Sequence, residues 1–158
     1  MSKLFQRILV ALPADDNAAI GLSRIGMSIA RTHDATVRLV SVVPIGVATT
    51  PSAIGLPGTG VRMPDAPKVT DAAVSAREQL LNQIQSAHSS HKSGGKCVKV
   101  GDPPAQIISE ADRWGADLII VGARDRDWVS RLFERSISQE VAKSADCAVL
   151  IFPEISEP

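Results

Sequence analysis

Few side chains in this sequence have the types and spacing that catalysis or metal binding requires. The three histidines, His33, His88 and His91, fall on predicted helix ends or loops, with no cysteine or carboxylate pattern around them. A zinc site needs such a set of ligands, and a Ser-His-Asp triad needs its histidine beside a nucleophile. Asp15 and Asp16 are adjacent, and we expect them to cap a helix and solvate a turn. We therefore predict no catalytic or metal-ligating residues and no enzyme, with slow ATP hydrolysis left as an open alternative.

The two cysteines also lack the spacing of a reactive pair. Cys97 and Cys147 are 50 residues apart, which rules out a CxxC redox motif, and each begins an apolar strand-like run. We expect two buried structural thiols in a reducing cytosol. No export signal is visible at the N-terminus, and apolar runs such as residues 118–121 are far shorter than the roughly 20 residues of a membrane span. The predicted localisation is cytoplasmic, without membrane attachment.

The composition excludes several classes of binding protein. The chain has 158 residues, which predicts one domain over residues 1–158, and its 17 basic and 17 acidic residues balance. A nucleic-acid-binding protein needs clustered positive charge to bind phosphates, so we predict no nucleic-acid partner. Aromatic residues make up only 3% of the chain and tyrosine is absent, which argues against a platform for base stacking.

Apolar segments alternate with amphipathic ones along the whole chain. Such alternation predicts an α/β fold, a single doubly wound, Rossmann-like or flavodoxin-like domain with a parallel sheet and helices on both faces. The apolar runs of the first, second, fourth and fifth strands indicate strands buried on both faces, whereas the third alternates and is predicted at an edge. The predicted strands are residues 7–12, 35–43, 96–100, 117–121 and 147–152, and the four helices are residues 18–31, 69–90, 104–114 and 136–145.

One segment interrupts this pattern. Residues 44–68 contain five prolines and four glycines and show no periodicity, which predicts a long loop. A loop of this length in a small domain is either loosely packed or disordered, or it serves as a lid or partner-binding element. Glycines 94 and 95 are expected to end the helix before the third strand, and residues 153–158 are expected to form a tail.

The predicted fold locates a ligand site before any motif does. In open parallel sheets, ligands bind beyond the carboxyl ends of the strands, where the strand order reverses. The candidate segments are residues 13–17, the residues after Val42 and the loop after residue 121. The sequence has neither GxGxxG after the first strand nor GxxxxGK[ST], so neither a dinucleotide site nor a P-loop is indicated.

Four short segments, in order, resemble the universal stress protein family. They are residues 7–11, 100–103, 115–122 and 147–151, and the resemblance extends from about residue 5 to residue 152. It implies a five-stranded parallel sheet in the order 3-2-1-4-5, which places the reversal between the first and fourth strands. It also implies a stress-response protein, and some similar proteins bind ATP or related nucleotides.

In similar nucleotide-binding proteins a Gly-x-x-Gly sequence follows the fourth strand, with Gly-Ser or Gly-Thr after nine further residues. Backbone amides and a helix N-terminus then hold the phosphates. Here Gly122 and Ser136 match, but Asp125 and Arg135 replace the other two glycines. Asp125 brings a negative charge to the phosphate position. Arg135 adds a Cβ, although its guanidinium could pair with a phosphate.

The resemblance assigns further candidate nucleotide contacts to this chain. Similar proteins carry an aspartate directly after the first strand, but Pro13 takes that position and Asp15 comes two residues late. The remaining candidates in the loop after the fourth strand and the helix that follows are Arg124, Ile137 and Ser138, and Val42 matches the base-pocket position. Ser136 is equally explained as a helix N-cap, Gly122 as a turn and Val42 as core. No cofactor is assigned, and ATP or AMP is the candidate ligand.

In similar proteins the last strand pairs across a two-fold axis, which here implies a homodimer edge formed by Ala148, Val149, Leu150, Ile151 and Phe152. The leading functional prediction is a non-enzymatic cytoplasmic stress-response protein that acts through protein partners and has a degenerate nucleotide site. The alternative is a nucleotide-dependent switch that binds ATP or AMP, with an altered site using Gly122, Arg124, Ser136 and Ser138.

Overall fold

The computed structural model describes residues 3–44, 66–123 and 136–153, with side chains from residue 71 onward in the second range. The predicted alternation of strands and helices is confirmed. The elements, in chain order, are β1 (Arg7–Leu12), α1 (Asp16–His33), β2 (Thr36–Val43), α2 (Ala66–Ala87), β3 (Ser93–Val100), α3 (Pro103–Trp114), β4 (Leu118–Ala123), α4 (Ile137–Ser144) and β5 (Ala148–Pro153).

The five strands form one parallel sheet in the order β3-β2-β1-β4-β5, as the family resemblance implies. Residues Arg7 to Leu12 of β1 pair with Thr36 to Ser41 of β2. On its other side β1 pairs with β4, where Val10 lies opposite Ile120. The chain runs outward from β1 to β2 and β3, and then returns to β4. The carboxyl ends of β1 and β4 therefore flank the point at which the strand order reverses.

Alternating side chains of β1 enter two different cores. Val10 packs on the face covered by α1 and α2, together with Leu22 and Leu81. Leu9 packs on the opposite face, which α3 and α4 cover, together with Ile107 and Val141. Because both faces of the central strands are covered, the strands contain continuous apolar runs rather than alternating ones.

Local signals predicted most helix ends correctly. Asp15 caps α1, and its carboxylate accepts a hydrogen bond from the Ala18 amide at 2.8 Å. Asp102 caps α3, with Pro103 in the first turn, and Gly115 follows the last residue of that helix. In α2, Pro67 lies in the first turn, where a missing N–H group costs no helical hydrogen bond.

The predicted boundary between α2 and β3 is wrong. The glycines expected to end the helix lie inside β3, which begins at Ser93, and α2 already ends at Ala87. A Cβ on Gly94 would lie 2.3 Å from Cζ2 of Trp114. Gly94 is therefore explained by the close approach of the indole ring to the strand, a tertiary contact that no local pattern reveals.

The burial predicted for β5 and for the two cysteines is also wrong. β5 is an edge strand with Ile151 39% exposed, because α4 covers one of its faces and, among the described residues, β4 alone pairs with it. Pro153, expected in the tail, is its last residue, a position that an edge strand tolerates. Cys97 and Cys147 are both free and half-buried, and burial raises the pKa of each thiol.

The structure describes only part of the predicted long loop, residues 44–68. The end of the segment belongs to α2, which begins at Ala66, three residues before the predicted start. Residues 45–65 and the predicted tail beyond Pro153 lie outside the described residues.

Candidate functional site at the carboxyl ends of the strands

The candidate site is the edge of the sheet where β1 and β4 end. The connection from β1 leads to α1 on one face, and α4, which follows β4, lies on the other. Parallel sheets form a ligand crevice between two such connections. Pro13 and Asp15 follow β1 directly, and Gly122 lies in β4 opposite Phe152 of β5. The fold therefore brings the two sequence-predicted halves of the site to one edge.

On the β1 side, the hydrogen-bond acceptors predicted from the sequence already bind other groups of this chain. Pro13 is half-buried and has no side-chain acceptor. Asp15 binds the amide of Ala18 through its carboxylate, and its carbonyl accepts from the Ala19 amide at 2.9 Å. Asp15 is therefore a helix cap, as the sequence predicts for one of the residues in this turn.

A residue that sequence reasoning missed, Arg77 of α2, reaches this edge. Its Nε donates to the Ser41 hydroxyl at 2.8 Å, and its Nη2 donates to the Pro13 carbonyl at 2.5 Å. Its Nη1 donates to the Ala14 carbonyl and to the Asp16 carboxylate, each at 3.0 Å. The Arg77 side chain is only 12% exposed. One guanidinium thus ties α2 to β2 and to the connection that follows β1.

The signal that could have found Arg77 lies in β2 rather than in α2. Ser41 is 1% exposed and interrupts a strand of β-branched and aliphatic residues. A buried hydroxyl requires a hydrogen-bond partner, so Ser41 predicts a polar side chain from a packed helix. Its partner is 36 positions away along the chain, and no local spacing identifies it.

On the α4 side, two serine hydroxyls meet at the start of the helix. Ser136 is the N-cap, and its hydroxyl accepts from the Gln139 amide at 3.5 Å. The hydroxyls of Ser136 and Ser138 are 2.8 Å apart, and Ser138 is 4% exposed. Ser138 therefore supports the cap and does not face solvent, whereas Ile137 is 44% exposed.

The remaining predicted nucleotide contacts are Val42 in β2, Gly122 in β4 and residues of the loop after β4. Val42 is half-buried and packs on the core beneath α3 and α4, which agrees with the interpretation as a core residue. Gly122 is half-buried near the end of β4. Arg124, Asp125 and Arg135 lie outside the described residues.

The three histidines lie at the opposite edge of the sheet. His33 ends α1, and His88 and His91 precede β3, so all three lie near the amino ends of the strands. Arg31 Nε donates to His91 Nε2 at 2.8 Å, which requires a neutral acceptor nitrogen on that ring. Burial, followed by neighbouring positive charge, lowers the pKa of His88 and His91. None of the three is near the crevice.

A second polar cluster that the sequence did not reveal surrounds Glu110 of α3. The Glu110 side chain is fully buried and binds Arg38 Nε at 2.7 Å, Arg113 Nη2 at 2.7 Å and Lys99 Nζ at 3.1 Å. Burial alone raises the pKa of Glu110, but hydrogen bonds from Arg113, Lys99 and Arg38 outweigh it and lower the pKa to about 2. The ionised carboxylate thus joins α3 to β2 and β3, away from the crevice.

The part of the chain that the structure describes contains neither a metal-ligand cluster nor a membrane-spanning helix. Within residues 3–44, 66–123 and 136–153, no group of three or more His, Cys, Asp or Glu side chains is placed to hold a metal ion. Among the same residues, no helix is both long and apolar enough to cross a membrane.

Comparison with known proteins decides the family. The model of the universal stress protein family matches residues 4–153. The chain belongs to the universal stress protein family. Among curated relatives, Universal stress protein A homolog 2 of Coxiella burnetii is 31% identical over 92% of this chain and 93% of its own length. Universal stress protein Sll1388 of Synechocystis is 26% identical over 93% of this chain and 97% of its own.

Solved structures of this family share the fold. The universal stress protein UspA of Lactobacillus plantarum has a TM-score of 0.70 at 23% identity, over 93% of this chain and 97% of its own. A universal stress protein in complex with cAMP has a TM-score of 0.66 at 17% identity, over 96% and 98% of the two chains. Two other neighbours, from Archaeoglobus fulgidus and Arabidopsis thaliana, are described with dAMP and AMP bound.

Proposed function

We propose that this universal stress protein is a non-enzymatic cytoplasmic protein that acts through protein partners as a homodimer, and that its strand-end crevice has lost tight affinity for nucleotides. One observation carries the proposal. The carbonyls of Pro13 and Ala14 and one oxygen of the Asp16 carboxylate bind Arg77, and Asp15 binds two amides of α1. The β1 side of the crevice therefore offers a nucleotide few groups to bind.

The proposed lack of enzymatic activity is supported by the positions of the titratable groups. The histidines lie at the amino edge of the sheet. Asp15 is a cap, Asp16 pairs with Arg77, and Glu110 is buried among three cations. General acid–base catalysis requires a group within hydrogen-bond reach of the reacting atom. Asp15 and Glu110 are thus engaged within the chain, and Asp16 pairs with the cationic Arg77, which disfavours the role of a general base.

The homodimer is supported by the character of β5. Among the described residues β5 pairs only with β4, and Val149, Leu150 and Phe152 are half-buried while Ile151 is exposed. An exposed apolar edge strand invites pairing with another chain unless it is covered. A second copy of β5 across a two-fold axis would cover it symmetrically.

A second candidate function, a nucleotide-dependent switch, is favoured by the α4 side of the crevice. Ser136 and Ser138 place two hydroxyls at the start of α4, the helix that follows β4 in the chain. A helix N-terminus favours anionic groups such as phosphate. Structural neighbours described with cAMP, dAMP and AMP make an adenine nucleotide the ligand to test.

Thermal unfolding in the presence of nucleotide separates the two candidates. Ligand at a hundred times its Kd adds about 2.7 kcal/mol of stability, and a chain of this size gains roughly 2–4 °C in Tm per kcal/mol. With 1 mM AMP or ATP–Mg²⁺ we expect the Tm to rise by less than about 2 °C. A rise in Tm of about 5 °C or more would favour the nucleotide-dependent switch and would overturn the proposal that the site is degenerate.

A further inference from the structure

Positive charge collects on one part of the molecule, although the chain as a whole has no net charge. Residues 17–33, which form most of α1, and residues 79–101, which run from the second half of α2 through β3, contain no aspartate or glutamate. Their basic residues are Arg24, Arg31, Lys92, Lys96 and Lys99. Because α1 and α2 cover the same face of the sheet and contact each other, the two segments lie close together.

The three lysines of this set are engaged within the chain. Lys99 binds the buried Glu110 carboxylate at 3.1 Å, and Lys92 binds the Asp34 carboxylate at 2.5 Å. The Lys96 ammonium donates a hydrogen bond to a side chain of α2. The two arginines of α1 are exposed, and neither forms an ion pair with any residue that the structure describes.

Arg31 is held in place by a histidine and keeps both of its terminal amino groups. Its Nε donates to Nε2 of His91 at 2.8 Å. Nη1 and Nη2 have no acceptor among the described residues. A carboxylate binds an arginine most strongly through two parallel N–H groups, and this pair of nitrogens supplies them. The histidine thus orients the guanidinium without neutralising its charge.

Arg24 lies two turns before Arg31 on the same side of α1. Seven residues of helix separate the two Cα atoms by about 10.5 Å along the axis. Burial is the largest cause that lowers the pKa of His88, and repulsion from neighbouring cations follows it. Both arginines are among these cations, so both guanidinium groups lie near the His88 ring. Among the described residues, no carboxylate raises the pKa of His88 or His91.

We propose that Arg24 and Arg31 form a binding surface for an extended acidic segment of a partner protein. The inference rests on the proposed action through protein partners and names the chemistry of the partner. Side chains on one side of an extended segment recur roughly every 7 Å. Carboxylates two to four positions apart can therefore reach the two guanidinium groups, whereas a single small anion cannot span them.

A nucleic acid fits this surface less well than an acidic peptide does. A phosphate backbone extends beyond a patch of two arginines and depends on a wider field of positive charge, but the 17 basic residues of the chain are balanced by 17 acidic ones. Base stacking requires aromatic side chains, and α1 and α2 contain no Phe, Trp or Tyr.

The test measures binding of a fluorescein-labelled peptide of alternating glutamate and serine, about a dozen residues long, to the full chain. Fluorescence anisotropy is recorded at pH 7 and about 50 mM NaCl, where exposed charges are weakly screened. We expect the wild type to bind this peptide at least about fivefold more tightly than a peptide with glutamine in place of glutamate.

Arginine variants locate the surface. Arg24→Gln and Arg31→Gln should each weaken binding of the acidic peptide about two- to fivefold, the range of an exposed ion pair. Lys143→Gln, at an exposed position of α4 on the opposite face of the sheet, is the matched control and should bind as the wild type does. Because all three positions are exposed, the Tm should be unchanged in each variant, which separates lost binding from unfolding.

Two results would overturn the inference. The first is a wild type that does not distinguish the two peptides, or whose affinity is unchanged by both arginine substitutions. The second is tighter binding of a single-stranded oligonucleotide of the same length, lost in the same variants, which would make this a nucleic-acid surface.

The outcomes also separate this inference from the proposed degenerate site. If the wild type binds AMP tightly and the acidic peptide as expected, the degenerate site is wrong and the surface stands. If AMP binds weakly and the peptides are not distinguished, the surface is wrong and the degenerate site stands.

Discussion

At the residue scale, the fully buried Glu110 and the largely buried Arg77 fix the sheet to its helices. Glu110 joins α3 to Arg38 of β2 and Lys99 of β3, and Arg77 joins α2 to Ser41. Removing one partner of a buried ion pair leaves the others without compensation. Both residues should therefore matter more to stability than a surface charge does.

Replacing Glu110 with glutamine should destabilise the fold in a pH-dependent way. We expect a loss on the order of 2–3 kcal/mol at pH 7, measured by urea unfolding, because the pKa of Glu110 falls from 4.5 to about 2 on folding. A pKa that is lower in the folded state contributes stability above the unfolded value. The difference between wild type and variant should therefore shrink as the pH falls from 4.5 towards 2.

The control for this prediction is Glu78→Gln, at an exposed position of α2. It should change the free energy of unfolding by less than about 0.5 kcal/mol. If Glu110→Gln were as stable as the wild type at pH 7, or if the difference did not depend on pH, the proposed role of the carboxylate would be wrong.

The distance between partners along the chain explains which residues the sequence could predict. Asp15, Asp102 and Ser136 cap helices that start within three residues of them, so local patterns were sufficient. The partners of Arg77 and Glu110 lie up to 72 positions away. Apart from Arg113, which lies three positions from Glu110 in α3, only the fold brings these partners together, and so the role of Arg77 at the crevice could not be predicted.

Close packing of α1 on β1 depends at the element scale on one glycine. A Cβ on Gly26 would lie 2.5 Å from Cγ2 of Val10, a fully buried residue of β1. Gly21, also in α1, has no described atom within 4 Å of the position of its Cβ apart from the backbone of its own helix and its chain neighbours. The same substitution at the two positions should therefore have opposite effects.

We predict that Gly26→Ala destabilises the protein by about 1–3 kcal/mol, because overpacking shifts the helix away from the strand. Gly21→Ala should stabilise it by about 0.5–1 kcal/mol, because alanine has the higher helix propensity. Thermal and urea unfolding of the two variants give both values. Two variants that change stability in the same direction and by the same amount would refute the close-packing argument.

Elements were predicted best where burial alone determines the pattern. The apolar runs of β1, β2 and β4 correspond to strands whose faces are both covered. β5 has a similar run but is half-exposed, because apolar character does not reveal whether a strand lies at an edge. The start of β3 was wrong because Trp114, a residue of α3, explains Gly94.

The exposed side of β5 supports a homodimer at the scale of the whole molecule. We predict that the wild type is a dimer at micromolar concentration by light scattering coupled to size exclusion, and that Ile151→Lys shifts it to a monomer by burying a charge in the interface. The control is Leu4→Lys. Leu4 is 69% exposed, more than Ile151, and lies outside β5, so this change should leave the dimer intact. A monomeric wild type would contradict the proposed assembly.

In the whole molecule, the β1 side of the crevice is occupied by the chain's own groups. The most direct measurement is to purify the protein without added nucleotide, denature it, and identify and quantify any released nucleotide by chromatography. We predict less than about 0.05 mol of nucleotide per mole of chain, because a ligand with a Kd near 1 mM is lost during purification. Release of ATP, AMP or another adenine nucleotide near one mole per mole would contradict the account.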